Sequence, residues 1–544
     1  MKFKIVLLAV AATGLFAAHA GAQSFAITNA KIVTVSGPTI ESGTVVVRDG
    51  LIAAVGADAK APADAQIFDG TGMTVYPGFV DALTNVGIQP RTAAAAPPGV
   101  VATQLTPQAN SNYPVGLRPE VIAIDELRGG DAQFETVRNA GFTTVVTVGR
   151  LGIFNGRSAI INLAGENVSG MIVKSPFAEH ISFTTVGGGV YPGSLLGTFS
   201  ALRQMFLDAQ RLQEIQKMYA ANPRGMKRPD ADASLEALFP VINREVPIVF
   251  NANREIEIVR ALDFAKEFNL KAMIGGGQEA WKVADRLKAQ DVPVLLSLNF
   301  PKRTTAASPD ADQETMDILR FRAETPKTAA KLQQAGVKFA FQSGGATTLL
   351  DFFTNAGKAV ENGLSRDAAI RSMTLGSAEI LGISDRLGSI DTGKIANLAV
   401  VKGDVFSKDR FVSSTFVDGK PFEQKLVTPS TAAGRPPTTT SPGAIARVGG
   451  NYSITIEVPG QQLTGTMALT QQAGVITGSL QTQLGTSPIK DGKVTADGFS
   501  FAATVEFGGT QVEMHVKGTV AGNQVSGTMD SPQGTVSFTG KRNP

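Results

Sequence analysis

The sequence predicts an α/β protein: a (β/α)8 TIM-type barrel, a small β-sandwich made from both flanking segments, and a C-terminal antiparallel β-barrel or meander domain. Three observations predict it. From about residue 77 to 383, apolar strand-like runs alternate with amphipathic helical patterns, the rhythm of parallel strands joined by crossover helices. Stretches rich in β-branched residues bracket that region, at residues 25–76 and 388–419. Residues 445–544 alternate apolar and polar side chains, with glycine-containing turns at short intervals, as a small antiparallel barrel requires.

At the start of the chain, Lys2 and Lys4 precede an apolar run over residues 5–18, and Ala18, Ala20 and Ala22 follow. The run is too short for a comfortable membrane span, and the pattern is that of a secretory signal over residues 1–22. Without its two lysines the formal charge falls from +3 to +1, so charge offers no argument for nucleic acid or a membrane surface as a partner. No second long apolar run follows, so no stable membrane span is expected after signal removal, and the location is periplasmic or secreted. The chain has no cysteine, which excludes disulfides and thiolate metal sites.

Residues 23–76 with 385–426 are assigned to the composite sandwich. Runs 25–35 and 44–55 are strand-like, and Asp49-Gly50 is a hairpin signal. Residues 77–384 are assigned to the barrel. Run 143–148 is strand-like. Ile258, Leu262, Ala265 and Phe268 share one helical face. Strand-like runs at 270–274, 292–298 and 337–342 each sit beside a helical pattern, and Ser365 is placed to cap a later helix, with Gly376 and Gly382 marking breaks. Residues 89–114 form an Ala/Pro-rich loop, and residues 200–218 a strong helical pattern. Insertions of this kind shape barrel mouths. Residues 427–444 are a Pro/Thr-rich linker, and 445–544 the antiparallel domain, with six to eight candidate strands.

The segment Pro77-Gly78-Phe79-Val80-Asp81-Ala82-Leu83-Thr84-Asn85 resembles the first barrel strand of the amidohydrolase superfamily. Met373-Thr374-Leu375-Gly376-Ser377-Ala378 and Gly393-Lys394-Ile395-Ala396-Asn397-Leu398 resemble its closing helix and returning strands. The likeness covers roughly residues 25–425 and is strongest to the exported imidazolonepropionase-like amidohydrolases. It implies a barrel with a two-metal hydrolytic site built from about four His, one Asp and often a bridging carboxylate. In that comparison the family's first two His positions fall on Leu83 and Asn85. Two further His positions fall on Asn251 and Asn253, another on Gly276, and Ser343 stands near the family's Asp.

A count points the same way. Of three histidines, His19 is in the leader and His515 in the terminal domain, leaving only His180 in the barrel. One imidazole without thiolates does not make the family's zinc-type site, so no metal and no cofactor is expected. The candidate pocket comprises Asp81, Asn85, Asn251, Asn253, Arg254, Glu279 and Ser343. The asparagines either form a neutral polar cup for a small ligand or fill a disused site with water. Asp81 is either a supporting group or a structural carboxylate, and Arg254 and Glu279 either pair or line the pocket. Ser343 has no evident His partner, His180 is either a lone acid or base or, as a solitary His more often is, structural or exposed, and no residue is assigned as catalytic. Three functions remain open. The first is a non-catalytic relative that binds a small molecule or joins an active amidohydrolase homologue as a partner subunit. The second is a hydrolase of carbon–nitrogen (non-peptide) bonds with an atypical mechanism. The third is an activity seated in the terminal β domain.

Overall fold

The computed structural model describes residues 24–88, 113, 116–165, 167–184, 191–303, 314–345, 349–424 and, with short breaks, 448–542. The leader, nearly all of the Ala/Pro-rich loop and the whole Pro/Thr-rich linker lie outside the described residues. The chain divides into two compact units, residues 1–302 with 315–426, and residues 303–314 with 427–544.

In the first unit the two flanks meet in one eight-stranded sheet. Met73–Pro77 from the N-terminal flank pairs antiparallel with Leu398–Lys402 from the other, Leu398 opposite Pro77 and Lys402 opposite Met73. Asp49 and Gly50 have φ of 51° and 81°, as a two-residue hairpin turn demands. The alternation that marks these strands places Phe25, Ile27, Val45, Val47, Leu398 and Phe416 in one apolar core.

The barrel begins with Phe79–Thr84, parallel to Phe142–Thr147. Glu179–Ser182, Ile248–Ala252, Ala272–Gly276, Val294–Ser297 and Phe339–Gln342 then pair in parallel in that order. The Gly344 N–H donates to the Leu83 carbonyl at 3.1 Å, bringing the end of the last strand to the first. One segment breaks the parallel rule. Ala159–Asn162 runs antiparallel to Phe142–Thr147, and Phe154–Arg157 antiparallel to Glu179–Ser182. The cause is chain length. Thr147 and Phe154 are too close in sequence for the crossover of about a dozen residues that a parallel return needs. The chain therefore turns straight back, through Gly152 at φ 91°.

Helix Glu255–Glu267 buries Ile258, Leu262 and Ala265, as its period predicts. Ser365 caps Arg366–Arg371 by accepting from the Ala368 N–H. Gly376 does not break the chain: it lies inside helix Leu375–Leu381, whose C-cap is Gly382 at φ 69°. Helix Leu195–Ala221 runs for 27 residues but buries side chains only as far as Ala209. No helix among the described residues is long and apolar enough to cross a membrane.

A buried amide network ties the sheet to the barrel. Asn397 Nδ2 donates to Thr144 Oγ1 and Asn162 Oδ1, both at 3.1 Å. The Asp418 N–H donates to Asn397 Oδ1 at 2.8 Å, and Asn162 Nδ2 to Asp418 Oδ1 at 2.6 Å.

The second unit contains a closed antiparallel barrel of eight strands, from Gly450–Val458 to Gly534–Arg542. Its interior is filled by side chains that include Tyr452, Met467, Leu480, Phe501, Val516 and Phe538. The Tyr452 hydroxyl is satisfied, donating to the Val448 carbonyl at 2.9 Å and accepting from Arg542 at 2.8 Å. His515 lies on the exposed face of its strand.

Candidate functional site

Parallel registration aligns side chains in layers across the barrel. Ser182 stands opposite Asn251, and Asn251 opposite Gly275. Further round, Ser297 stands opposite Gln342. These strand-end residues line a cavity of about 320 Å³ at the barrel mouth, together with Leu83, Thr84, Arg150, Asn155, Asn253, Asn299 and Ser343. One layer below, Val249, Met273, Leu295 and Ala340 make an apolar floor.

The cup is held by side-chain amides. Asn251 Nδ2 donates to Asn155 Oδ1 at 3.0 Å and to Ser182 Oγ at 3.1 Å, and Ser182 Oγ donates to Asn155 Oδ1 at 2.7 Å. Two glycines make room for the asparagines. A Cβ at Gly275 would lie 2.6 Å from Asn251 Oδ1, and one at Gly276 would collide with Asn253 Oδ1. Gly276 also has φ 97°, a conformation that side chains of L-residues avoid.

Asp81 lies beneath the cup, fully buried. Its Oδ1 accepts from the Ser343 N–H at 2.9 Å and the Leu83 N–H at 3.3 Å, and its Oδ2 accepts a short hydrogen bond from Ser343 Oγ. Burial pushes the carboxyl up to about 6, against the opposing pull of these hydrogen bonds and of the Arg150 charge. Ser343 is thus both a wall of the cup and the partner of Asp81.

Asn85 is not part of the lining, but it borders the rim: the point where a Gly345 Cβ would sit is 2.7 Å from Asn85 Oδ1 and 2.9 Å from Arg150 Nη2. Arg254 and Glu279 also stay outside the lining and form an ion pair at 3.2 Å. Glu279 further accepts from the Glu255 N–H at 2.9 Å and pairs with Lys282 at 3.1 Å. The Arg254 guanidinium stacks 3.8 Å above the Phe321 ring. Partial burial raises the Glu279 carboxyl, but the Glu255 N–H, Lys282 and Arg254 outweigh it and hold the group below its ordinary value.

His180 registers with Val249 in the floor layer. Its Nε2 is 2.9 Å from Ser158 Oγ, Nδ1 has no partner, and burial drives its pKa down to about 3. Such a ring stays neutral at physiological pH.

The two-metal site that the family resemblance implies does not fit these residues. The corresponding positions hold an aliphatic side chain at Leu83, carboxamides at Asn85, Asn251 and Asn253, no side chain at Gly276, and a hydroxyl at Ser343. Both Asp81 oxygens are already engaged by donors. Zinc favours imidazole and thiolate, and neutral carboxamides supply neither charge nor a soft donor. Among the described residues no group of three or more His, Asp or Glu is placed to hold a metal ion.

The resemblance pointed to Asn251, Asn253 and Ser343, which do share the cavity. It did not point to Arg150, Asn155, Ser182, Ser297, Asn299 or Gln342. The available signal was positional: each lies at or just beyond a barrel strand, or in the turn that follows one.

Residues 312–422 match the Amidohydrolase family model. Amidohydrolase tasK of Hapsidospora irregularis is 25% identical over 411 residues, 69% of this chain and 39% of that protein. N-acetylglucosamine-6-phosphate deacetylase of Haemophilus influenzae is 42% identical over 78 residues, 14% of this chain and 19% of that protein. The chain therefore spans well under half the length of these two relatives. An amidohydrolase crystal structure from Thermotoga maritima superposes with a TM-score of 0.62 and 26% identity, covering 74% of this chain and all of that one. The strand order, the paired flanking strands and these matches agree: residues 312–422 carry the Amidohydrolase family match, and the fold is that of the Thermotoga maritima amidohydrolase.

Proposed function

We propose that the barrel mouth binds a small polar molecule without the two-metal chemistry that the resemblance implies, in an exported protein that acts as a binding protein or as a partner subunit of an active homologue. The carrying observation is the cup itself: a cavity of about 320 Å³ walled by amides and hydroxyls where the implied site would carry imidazoles. Neutral amides both donate and accept hydrogen bonds, which suits recognition better than activation of water. The leader-like residues 1–22 support export.

The test is metal content. The mature protein, grown with added zinc, manganese and iron and purified without chelator, is expected to hold metal far below one ion per chain. Tightly held, near-stoichiometric metal would overturn this reading.

A second reading has its own observation. Ser343 lines the cavity, and its Oγ donates to the buried Asp81 carboxylate, whose pKa of about 6 suits a general base near neutrality. That arrangement supports a hydrolase of carbon–nitrogen (non-peptide) bonds with an atypical mechanism. Hydrolysis that survives chelators and is lost in Ser343→Ala would favour it over the binding reading.

A further inference from the structure

We propose that the Arg150 guanidinium is the positive pole of the cup, and that it seats the carboxylate of a small monoanionic ligand without a metal ion. The proposal rests on the binding reading above and adds the chemical class of the ligand.

Among the described residues, Arg150 is the one charged side chain lining the cavity. No hydrogen bond or ion pair joins it to another described residue. Its place is nevertheless defined. Gly345, at φ 154°, is buried beside Ser343, and a Cβ there would lie 2.9 Å from Arg150 Nη2 and 2.7 Å from Asn85 Oδ1. The guanidinium therefore lies against the glycine backbone beside Asn85, where the last barrel strand returns to the first.

Its charge acts on that of Asp81, and that carboxylate is sealed below the cup by hydrogen bonds from Ser343 and Leu83. No bond ties the guanidinium down to it, so the donors of Arg150 remain available to an anion entering from solvent. A planar guanidinium matches a carboxylate with two parallel hydrogen bonds. One cation over a buried carboxylate suits a single negative charge better than a phosphate dianion. For the rest of the ligand, Asn251 Oδ1 and Asn253 Oδ1 lie over Gly275 and Gly276, acceptors placed for an amide N–H or a hydroxyl. The class is a small acylamino or hydroxy carboxylate.

The test uses the full mature chain after dialysis against EDTA, with titration calorimetry of two pairs of probes: N-acetylglycine against N-acetylglycinamide, and lactate against lactamide. At least one carboxylate is expected to bind about ten- to a hundredfold more tightly than its neutral amide, the worth of a charge-assisted pair. Arg150→Gln is expected to erase that preference while the unfolding temperature stays unchanged, and Arg150→Lys to keep part of it. Equal binding of acid and amide, or a preference that survives Arg150→Gln, overturns the proposal while leaving the polar cup intact as a binding site. Binding that appears only after zinc is restored, or no binding of any probe at millimolar concentration, overturns both the proposal and the reading beneath it.

Discussion

Two buried titratable groups below the cup respond to acid in opposite senses. Asp81 has a pKa near 6 in the folded chain against an ordinary value of 3.8, so the folded state binds the extra proton. Its contribution is present below about pH 4 and is lost as pH rises through 6. His180 is depressed to about 3 from 6.5, so the unfolded state binds the extra proton. Its contribution is present above pH 6.5 and is lost as pH falls toward 3. In urea titrations from pH 4 to 7, Asp81→Asn is therefore expected to gain on the wild type as pH rises, by on the order of 3 kcal/mol across the window. His180→Leu is expected to gain as pH falls. A flat difference between Asp81→Asn and wild type would mean that Asp81 is already ionised at pH 4.

At the scale of the element, the strand Ala272–Gly276 shows how far local sequence reached. Its apolar run and the preceding helix were legible from periodicity, and the family likeness placed Gly276 where a histidine belongs. Periodicity carried no sign that Gly275 and Gly276 yield their space to Asn251 and Asn253 on the neighbouring strand, because that contact depends on register between strands. Gly276→Ala is expected to lose about 1–3 kcal/mol through its positive φ and the collision with Asn253, and to weaken ligand binding along with stability. Thermal unfolding and calorimetry on the same variant check both. Arg150 was missed for a related reason. It lies two residues past the predicted end of run 143–148, where strand boundaries read from sequence are least certain and a one-residue shift reverses the direction of a side chain. The reversed segment 154–162 was open to inference, since the gap before Phe154 is too short for a helix, but the repeating strand–helix rhythm on either side argued for another parallel strand.

At the scale of the molecule, the two units have separate cores; strict alternation gave an antiparallel domain of six to eight strands, barrel or meander, and the structure closes it as a barrel of eight. The amide network around Asn397 had no such signature, because Asn162, Asn397 and Asp418 are far apart in sequence and match no spacing rule. Removing its hub leaves buried partners unsatisfied, which costs more than the bonds themselves. Asn397→Ala is expected to lower the calorimetric transition of the first unit by the equivalent of about 2–4 kcal/mol, with the transition of the terminal barrel unmoved. A shift of both transitions together would show that the units unfold as one.

The pairing of Met73–Pro77 with Leu398–Lys402 also sets a timetable. While the chain is being synthesised, the N-terminal strands wait for a partner that emerges about 320 residues later, and contacts of such sequence separation form slowly. Until then Met73–Pro77 presents an open hydrogen-bonding edge beside apolar surface, the kind of edge that recruits neighbouring chains. A ribosome that stops before residue 398 releases a product lacking that seam. Such truncated chains should collect in the insoluble fraction, whereas chains ending just after residue 424 already hold every strand of the sheet.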